Sequence, residues 1–195
     1  QELQARVATQ IRRKRYTDRL RDTVQQTMEM AITDGLTGLH NRRFMSTHME
    51  QALEQAHRHG RDLAVLIADM DHFKSVNDGY GHDAGDAVLR ELATRIKGSI
   101  RGADLACRYG GEEFVVIMPD TDIAAAGVVG ERIRARVAGE PFRLPDGRLL
   151  PRTISIGIGA LETSADTCET ILKRADSGLY EAKEQGRNRV VSRAA

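Results

Sequence analysis

Hydrophobic residues recur along the chain in two kinds of pattern, and these predict its helices and strands. Apolar residues spaced three to four positions apart are typical of helices packed on a core, whereas short apolar or alternating runs are typical of strands. The helical patterns cover residues 43–59, 87–99, 121–138 and 168–184. The strand patterns cover residues 63–69, 106–109, 114–118, 154–160 and 188–192.

The order of these segments predicts an α+β domain in which helices flank a mixed central sheet. Two strands on either side of Gly110-Gly111 indicate a hairpin in its middle. The nearly continuous apolar run at 63–69 is typical of a central strand covered on both faces. Residues 35–43 and 77–85 are predicted as loops, and 141–151 as a hairpin or loop.

Residues 1–32 are predicted to form one long helix, because no Gly or Pro occurs before Gly35. Its apolar residues form a narrow stripe with four-residue steps: Leu3, Val7, Ile11, Leu20, Val24, Met28 and Ile32. A stripe this narrow buries no core of its own, so we expect the helix to pair with a second copy or to continue from an upstream domain. We therefore expect a helical stalk at 1–32 and a globular domain at 33–195.

The amino-acid composition argues against membrane-spanning, secreted and disulfide-rich classes of protein. With 195 residues, 41% of them hydrophobic and 29% charged, the chain has the composition of a soluble globular domain. The apolar run at 63–68 is too short to cross a bilayer, no secretory signal pattern opens the chain, and two cysteines cannot form a disulfide framework. We therefore expect a cytoplasmic protein without a membrane span.

The N-terminal segment is basic although the whole chain is nearly neutral, with a formal net charge of +1. Residues 1–27 carry seven basic and three acidic side chains. They lack the interleaved aromatic residues and the helix-turn-helix or zinc patterns of nucleic-acid binders. A solvated helix surface is the favoured interpretation, and no nucleic-acid partner is expected.

Acidic residues collect where the predicted sheet would bring them together. Asp69 and Asp71 close the first strand, and Glu112-Glu113 follow Gly110-Gly111 in the hairpin. If these strands are neighbours, the carboxylates repel one another and raise each other's pKa unless a cation lies between them. Oxygen ligands of this kind suit Mg²⁺. For Asp71 alone, an exposed turn residue is the favoured interpretation.

The polar stretch at 77–86 has two interpretations. Asn77 and Asp86 could cap the following helix, or they could bind the edge of a guanine, whose N–H donors a carboxylate accepts. Their spacing does not decide between the two. Lys74, Lys183 and Arg187 are candidate phosphate partners, although each by itself is more typical of a surface charge.

The run RYGGEEF at 108–114 resembles the signature of the GGDEF-domain diguanylate cyclases, in its GGEEF form. Further segments agree with the family's pattern in the same order along the chain: 34–43, 69–86, 155–157, 174–176 and 186–188. The resemblance covers about residues 34–191. It implies a fold similar to nucleotidyl-cyclase and polymerase palms, and the condensation of two GTP into cyclic di-GMP with release of two pyrophosphates.

The resemblance also implies roles for individual residues. Asp69, the Met70 carbonyl and Glu112 match the ligands of two Mg²⁺ per GTP site, with Mn²⁺ as an alternative ion. Glu113 matches a further metal ligand or the base for the ribose 3′-hydroxyl. The remaining matches are guanine contacts at Asn77 and Asp86, phosphate contacts at Lys74, Lys183 and Arg187 and at the backbone of His72 and Phe73, and close backbone approach at Gly110 and Gly111.

A second site is implied by Arg101 and Asp104, which have the family's Arg-x-x-Asp pattern five residues before the two glycines. In the family this pattern binds the product; otherwise it forms a salt bridge at a helix end. Arg58 and Arg61 are nearby candidates for its basic partner.

The implied assembly is a homodimer with a receiver or sensor domain upstream. The alternative function is a catalytically silent module that binds GTP or cyclic di-GMP. Silent members usually lack the second glycine or an acidic residue of the motif, and Gly110–Phe114 retains both.

Overall fold

The computed structural model describes Lys14, Tyr16 and residues 32–193. Residue contacts divide the chain into two units, Gln1–Thr33 and Asp34–Ala195. The apolar stripe predicted for the N-terminal helix lies outside the described residues except at its end. The boundary predicted between residues 32 and 33 stays a prediction.

The second unit alternates helices and strands. Its helices are α1 (Arg42–His59), α2 (Phe73–Tyr80), α3 (His82–Lys97), α4 (Ile123–Gly139) and α5 (Cys168–Glu184). Its strands are β1 (His40–Asn41), β2 (Leu63–Met70), β3 (Leu105–Gly110), β4 (Glu113–Pro119), β5 (Phe142–Arg143), β6 (Leu149–Leu150), β7 (Ile154–Ala160) and β8 (Val190–Arg193).

The main sheet is mixed, as the sequence predicts. Its strand order is β1-β3-β4-β2-β7-β8. The central strand β2 is antiparallel to β4 and β7, whereas β1 and β8 run parallel to their neighbours β3 and β7. All eight residues of β2 are buried, which explains its continuous apolar run. Strands β5 and β6 form a separate two-stranded hairpin.

Helices cover both faces of this sheet, and the sheet therefore divides the hydrophobic core into two parts. On one face, side chains of α2, α3 and α4 such as Phe73, Val88 and Ile133 join the core that contains Leu66 of β2. On the other face, α1 and α5 pack against Val65 and its neighbours. The two faces follow from the alternation of side chains along a strand.

The predicted loop at 77–85 is wrong, because this stretch contains the end of one helix and the start of the next. Helix α2 ends at Tyr80, and α3 begins at His82, five residues earlier than the predicted start. The break between them is Gly81 alone, whose φ of 83° is accessible mainly to glycine. Burial of Phe73 and Val76 stabilises α2 although its own sequence is rich in turn residues.

Glycines in β7 allow α5 to lie directly on the sheet. A Cβ on Gly157 would be 2.0 Å from the carbonyl oxygen of Ala175, and one on Gly159 would be 2.3 Å from that of Ile171. Both neighbours belong to the backbone of α5 and cannot rotate away. The alternation of Ile with small residues in β7 therefore reflects one face packed on apolar side chains and one face packed on a helix backbone.

We expect Gly157→Ala to lower the free energy of unfolding by about 1–3 kcal/mol or more, because α5 must move off the sheet to admit the methyl group. Urea denaturation of the purified chain measures this. Gly139→Ala is the matched control, since a Cβ there meets no atom within 4 Å. Equal stabilities of the two variants would contradict the close contact between α5 and β7.

Candidate active site

Two acidic side chains face the same side of the sheet where β2 and β4 meet. Asp69 of β2 pairs directly with Glu113 of β4 in the antiparallel register. Side chains of directly opposed residues in such a pair lie on the same face. Asp69 is only 7% exposed, and Glu113 is partly buried. The structure thus brings together two of the acids that the sequence singles out.

A lysine from α5 forms an ion pair with one of these two acids. The Nζ atom of Lys183 lies 3.0 Å from Oδ1 of Asp69. Burial raises the pKa of Asp69 from its ordinary value of 3.8 to about 6; the Lys183 ammonium opposes that rise, and the charges of Glu112 and Glu113 add to it. Asp69 is therefore a desolvated carboxylate whose charge is only partly compensated by the protein.

The side chains of Asp69, Glu112 and Glu113, which we call the acidic corner, have the chemistry to bind a hard divalent cation. Asp69, Glu112 and Glu113 offer only oxygen atoms, and their mutual repulsion affects the pKa of Asp69. Among the described residues, however, no three His, Cys, Asp or Glu side chains are arranged as metal ligands. The cation that lies beside Asp69 in this structure is the Lys183 ammonium.

The hairpin turn between β3 and β4 is held by a partly buried ion pair. The turn is centred on Gly111-Glu112, one residue later than predicted, and Gly111 has a φ of 52°. Arg108 donates to the Gly111 carbonyl oxygen from Nε (3.0 Å) and a terminal nitrogen (2.8 Å), and its other terminal nitrogen lies 3.2 Å from Asp34. Sequence reasoning assigned no role to Arg108 or Asp34.

Burial by itself would raise the pKa of Asp34, but hydrogen bonds from Thr37 and the guanidinium of Arg108 hold this pKa below its usual value. The loop that begins the domain is thereby tied through charged groups to the hairpin turn.

A Cβ on Gly110 would meet no protein atom within 4 Å. Only Gly111 therefore has a conformational reason to be glycine, and the close backbone approach inferred for Gly110 concerns a ligand and stays a prediction.

Asp71 is a buried structural carboxylate, so its interpretation as an exposed turn residue is wrong. It is 2% exposed and accepts hydrogen bonds from the hydroxyls of Thr153 (2.6 Å) and Ser155 (2.7 Å) and from the backbone N–H of Asn188 (3.1 Å). The last bond fixes the loop after α5, where Arg187 and Asn188 have φ values of 65° and 48°. Such a φ value is unfavourable for Arg187, although asparagine tolerates it better, and it persists because the loop is held.

Neither Asn77 nor Asp86 caps a helix, so that interpretation is contradicted. Asn77 lies inside α2, whose N-cap is His72, and Asp86 lies inside α3, whose N-cap is Gly81. Neither cap residue makes a side-chain cap hydrogen bond. The Asp86 carboxylate lies 3.9 Å from Arg90 and its side chain is 48% exposed, so it remains accessible to a ligand.

The other candidate phosphate contacts lie near the start of α2 and after α5. Helix α2 begins at Phe73, directly after His72, and Lys74 is exposed in its first turn. The first N–H groups of a helix have no partner within it and favour anions. Neither Lys74 nor Arg187 forms an ion pair with a described residue, in contrast to Lys183.

Arg101 and Asp104 form an ion pair at the opposite end of β4 from Glu113. Nε of Arg101 lies 2.9 Å from Asp104, and the same guanidinium donates to the Pro119 carbonyl oxygen and, at 2.7 Å, to the Thr121 hydroxyl. The Arg101 side chain is half exposed, whereas the Asp104 side chain is buried. The nearby basic candidates pair with acids of their own, Arg58 with Glu54 and Arg61 with Asp120.

Comparison with known proteins places these residues in a family context. A family model described as "Diguanylate cyclase, GGDEF domain" matches residues 31–189. The chain is 54% identical over 196 residues to the response regulator PleD of Caulobacter vibrioides and 44% identical over 162 residues to the diguanylate cyclase DgcP of Pseudomonas aeruginosa. The alignments cover 100% and 83% of this chain but only 43% of PleD and 24% of DgcP.

The fold resembles solved structures of the same family. The coiled coil and GGDEF domain of DgcB from Caulobacter crescentus, in complex with c-di-GMP, matches with a TM-score of 0.87 and 32% identity, over 99% of this chain and 100% of that chain. An active GGEEF domain of a Vibrio cholerae diguanylate cyclase matches with a TM-score of 0.73 and 33% identity, over 80% and 98%. Among the described residues, no helix is both long and apolar enough to span a membrane.

The raised pKa of Asp69 makes a prediction about stability. Since the folded state holds this proton more tightly than the unfolded state, ionisation of Asp69 destabilises the fold above about pH 6, and the effect fades toward pH 4. In the presence of a metal chelator, Asp69→Asn should raise the free energy of unfolding by about 1–3 kcal/mol at pH 7.5 and by less at pH 4. Urea denaturation at the two pH values measures this difference.

The matched control for this measurement is Asp71→Asn. It should lower the stability by about 1–3 kcal/mol, because an amide N–H₂ would then face hydrogen-bond donors. Destabilisation by both variants at pH 7.5 would contradict the unequal environments of the two carboxylates.

Proposed function

The chain belongs to the GGDEF-domain family of diguanylate cyclases, and from this premise we propose that it condenses two GTP molecules into cyclic di-GMP with release of two pyrophosphates. One observation carries the proposal: the direct pairing of Asp69 with Glu113 beside Lys183, which concentrates charged groups where a phosphoryl transfer needs them. The GGEEF motif that supplies Glu112 and Glu113 is intact.

The acidic corner has the chemistry to hold the metal that the family implies. Asp69, the Met70 carbonyl and Glu112 would hold Mg²⁺ or Mn²⁺, two ions per GTP site. Ions bound there would favour deprotonation of the ribose 3′-hydroxyl and offset negative charge on the α-phosphate. Asp69 would enter the complex ionised, because a bound cation lowers the pKa that burial raises.

The protein's own groups would then carry the transfer. Glu113 would accept the proton of the 3′-hydroxyl or complete the metal shell, the 3′-oxygen would form its bond to the α-phosphorus, and pyrophosphate would leave. Lys74, Lys183 and Arg187, with the backbone N–H groups of His72 and Phe73, would bind the phosphates. Two such transfers, one on each GTP, close the ring of the product.

The pair Asn77 and Asp86 would select guanine. The Asp86 carboxylate can accept from the ring N–H and the exocyclic amine of the base, and an amide N–H of Asn77 can donate to an acceptor on it. Because neither residue caps a helix, both side chains are available for this role.

Two copies of the chain must cooperate in this reaction. Each domain offers one GTP site and the product is two-fold symmetric, so two sites would face each other in a C₂ dimer. The apolar stripe at 3–32 would form the stalk that joins the two copies, and a receiver or sensor domain would precede it. Residues 33–195 would then be the catalytic domain of a longer signalling protein.

Product feedback would act through Arg101 and Asp104. The half-exposed Arg101 guanidinium can give a bidentate contact to a guanine or a phosphate of cyclic di-GMP, and Asp104 can accept from a guanine N–H. The pair is distant from Glu113 along β4, so bound product would hold two domains apart without entering the GTP site.

An assay of purified chain with GTP and Mg²⁺ tests the proposal. We expect cyclic di-GMP as product, ATP to be essentially unused, and Glu113→Gln to lower the rate by about 10²–10⁴-fold with the fold intact. Glu140→Gln is the matched control, because Glu140 is an exposed glutamate directly after α4. GTP binding without turnover by the wild type would favour the silent module, and near-wild-type turnover by Glu113→Gln would exclude its catalytic role.

Arg101→Ala tests the feedback site separately. The initial rate should stay unchanged, whereas the cyclic di-GMP concentration for half-inhibition should rise about 10–100-fold through loss of the bidentate contact. Arg143→Ala, an exposed arginine of β5, is the control. If the Arg101 variant is inhibited at the wild-type concentration, the pair with Asp104 is only a salt bridge.

A further inference from the structure

Gly85 is a buried glycine in the first turns of α3, and its own backbone gives no reason for it. Its φ is not positive, so alanine could adopt the same conformation. Glycine inside a helix is less favourable than alanine by about 1 kcal/mol. The absence of a side chain must therefore serve a neighbour of Gly85.

The neighbour is the side chain of Asn77. An ideal Cβ on Gly85 would be 2.0 Å from Oδ1 and 3.1 Å from Cγ of Asn77, and 3.2 Å from Cζ of Phe73. The Asn77 amide thus fills the space that a side chain at position 85 would take. We call the surface formed by Gly85 and the Phe73 ring the amide seat.

The amide seat fixes the direction of the Asn77 side chain. Its Oδ1 atom is the end turned toward Gly85, so its Nδ2 atom is turned away from the seat. Within residues 32–193, no hydrogen bond is made to the Asn77 side chain, and its N–H₂ donors are available. The acceptor Asp86 follows Gly85 directly in the same turn of α3. Gly85 is thus linked to both groups, to the donor Asn77 of α2 by contact and to the acceptor Asp86 of α3 as its neighbour in the chain.

We propose that Gly85 is a positioning residue that determines guanine specificity: by lacking a side chain it seats the Asn77 amide in the orientation that reads the base beside Asp86. The inference rests on the proposed function and deepens it, because it names the residue that fixes the specificity of that site. A donor held in one rotamer loses less entropy on binding than a free side chain.

The geometry separates this role from a purely structural one. The atoms nearest to a methyl group at position 85 belong to side chains rather than to backbone. The Asn77 amide can rotate away and the Phe73 ring, at 3.2 Å, needs to shift only slightly, so the fold survives. Gly85→Ala should therefore retain its melting temperature while it loses base recognition. A glycine needed only for helix packing would show the opposite, a loss of stability with unchanged preference for GTP.

The experiment measures binding of non-hydrolysable GTP and ATP analogues by calorimetry, together with KM and kcat for GTP, for the full chain. We expect Gly85→Ala to weaken GTP binding and raise KM about 5–100-fold, to leave ATP binding nearly unchanged, and to change kcat much less. Gly127→Ala in α4 is the control, because the nearest atom to a Cβ there is 3.9 Å away.

A double-mutant cycle shows whether Gly85 acts through Asn77. If it does, Gly85→Ala combined with Asn77→Ala binds GTP no more weakly than Asn77→Ala alone. Additive losses, or an unchanged GTP-to-ATP ratio in Gly85→Ala, would overturn the inference. A wild-type chain that binds GTP selectively without turnover would refute the proposed activity alone. A wild-type chain without any preference for GTP would also overturn the role inferred for Gly85.

Discussion

The contact between α5 and β7 determines where positive charge meets the acidic corner. Gly157 and Gly159 carry no side chains, so the backbone of α5 lies directly on the strand. At the far end of this helix Lys183 reaches Asp69, and just beyond it the N–H of Asn188 binds Asp71. A larger residue in either glycine position would shift both contacts together, because a packed interior transmits strain.

Two buried aspartates near the end of β2 have different roles, since one supports the fold and the other belongs to the candidate active site. Asp71 accepts two hydroxyl hydrogen bonds and one from a backbone N–H, as expected of a carboxylate that supports the fold. Asp69 has one lysine partner and a raised pKa, which indicates a charge that the protein alone leaves only partly compensated. Residues of this kind are typical of functional sites, where activity is retained at a cost in stability.

The remaining parts of the site are held by groups outside it. Arg108 joins the hairpin turn to Asp34, so the position of the GGEEF turn depends on the loop that begins the domain. Gly85 gives the Asn77 amide its place between α2 and α3. In each case a residue that touches no proposed substrate fixes one that does, and proximity catalysis depends on this kind of support.

The sequence by itself determined the mixed sheet, the buried central strand, the hairpin and the acids at its turn, and its motifs determined the family. These features depend on local periodicity and on short motifs, which a single segment carries. Only the tertiary structure decided that 77–85 is helical on both sides of Gly81, that Asp71 is buried and that Lys183 meets Asp69. The physical reason is that burial and pairing here join groups distant in sequence, whereas a periodic pattern reports only on its own segment.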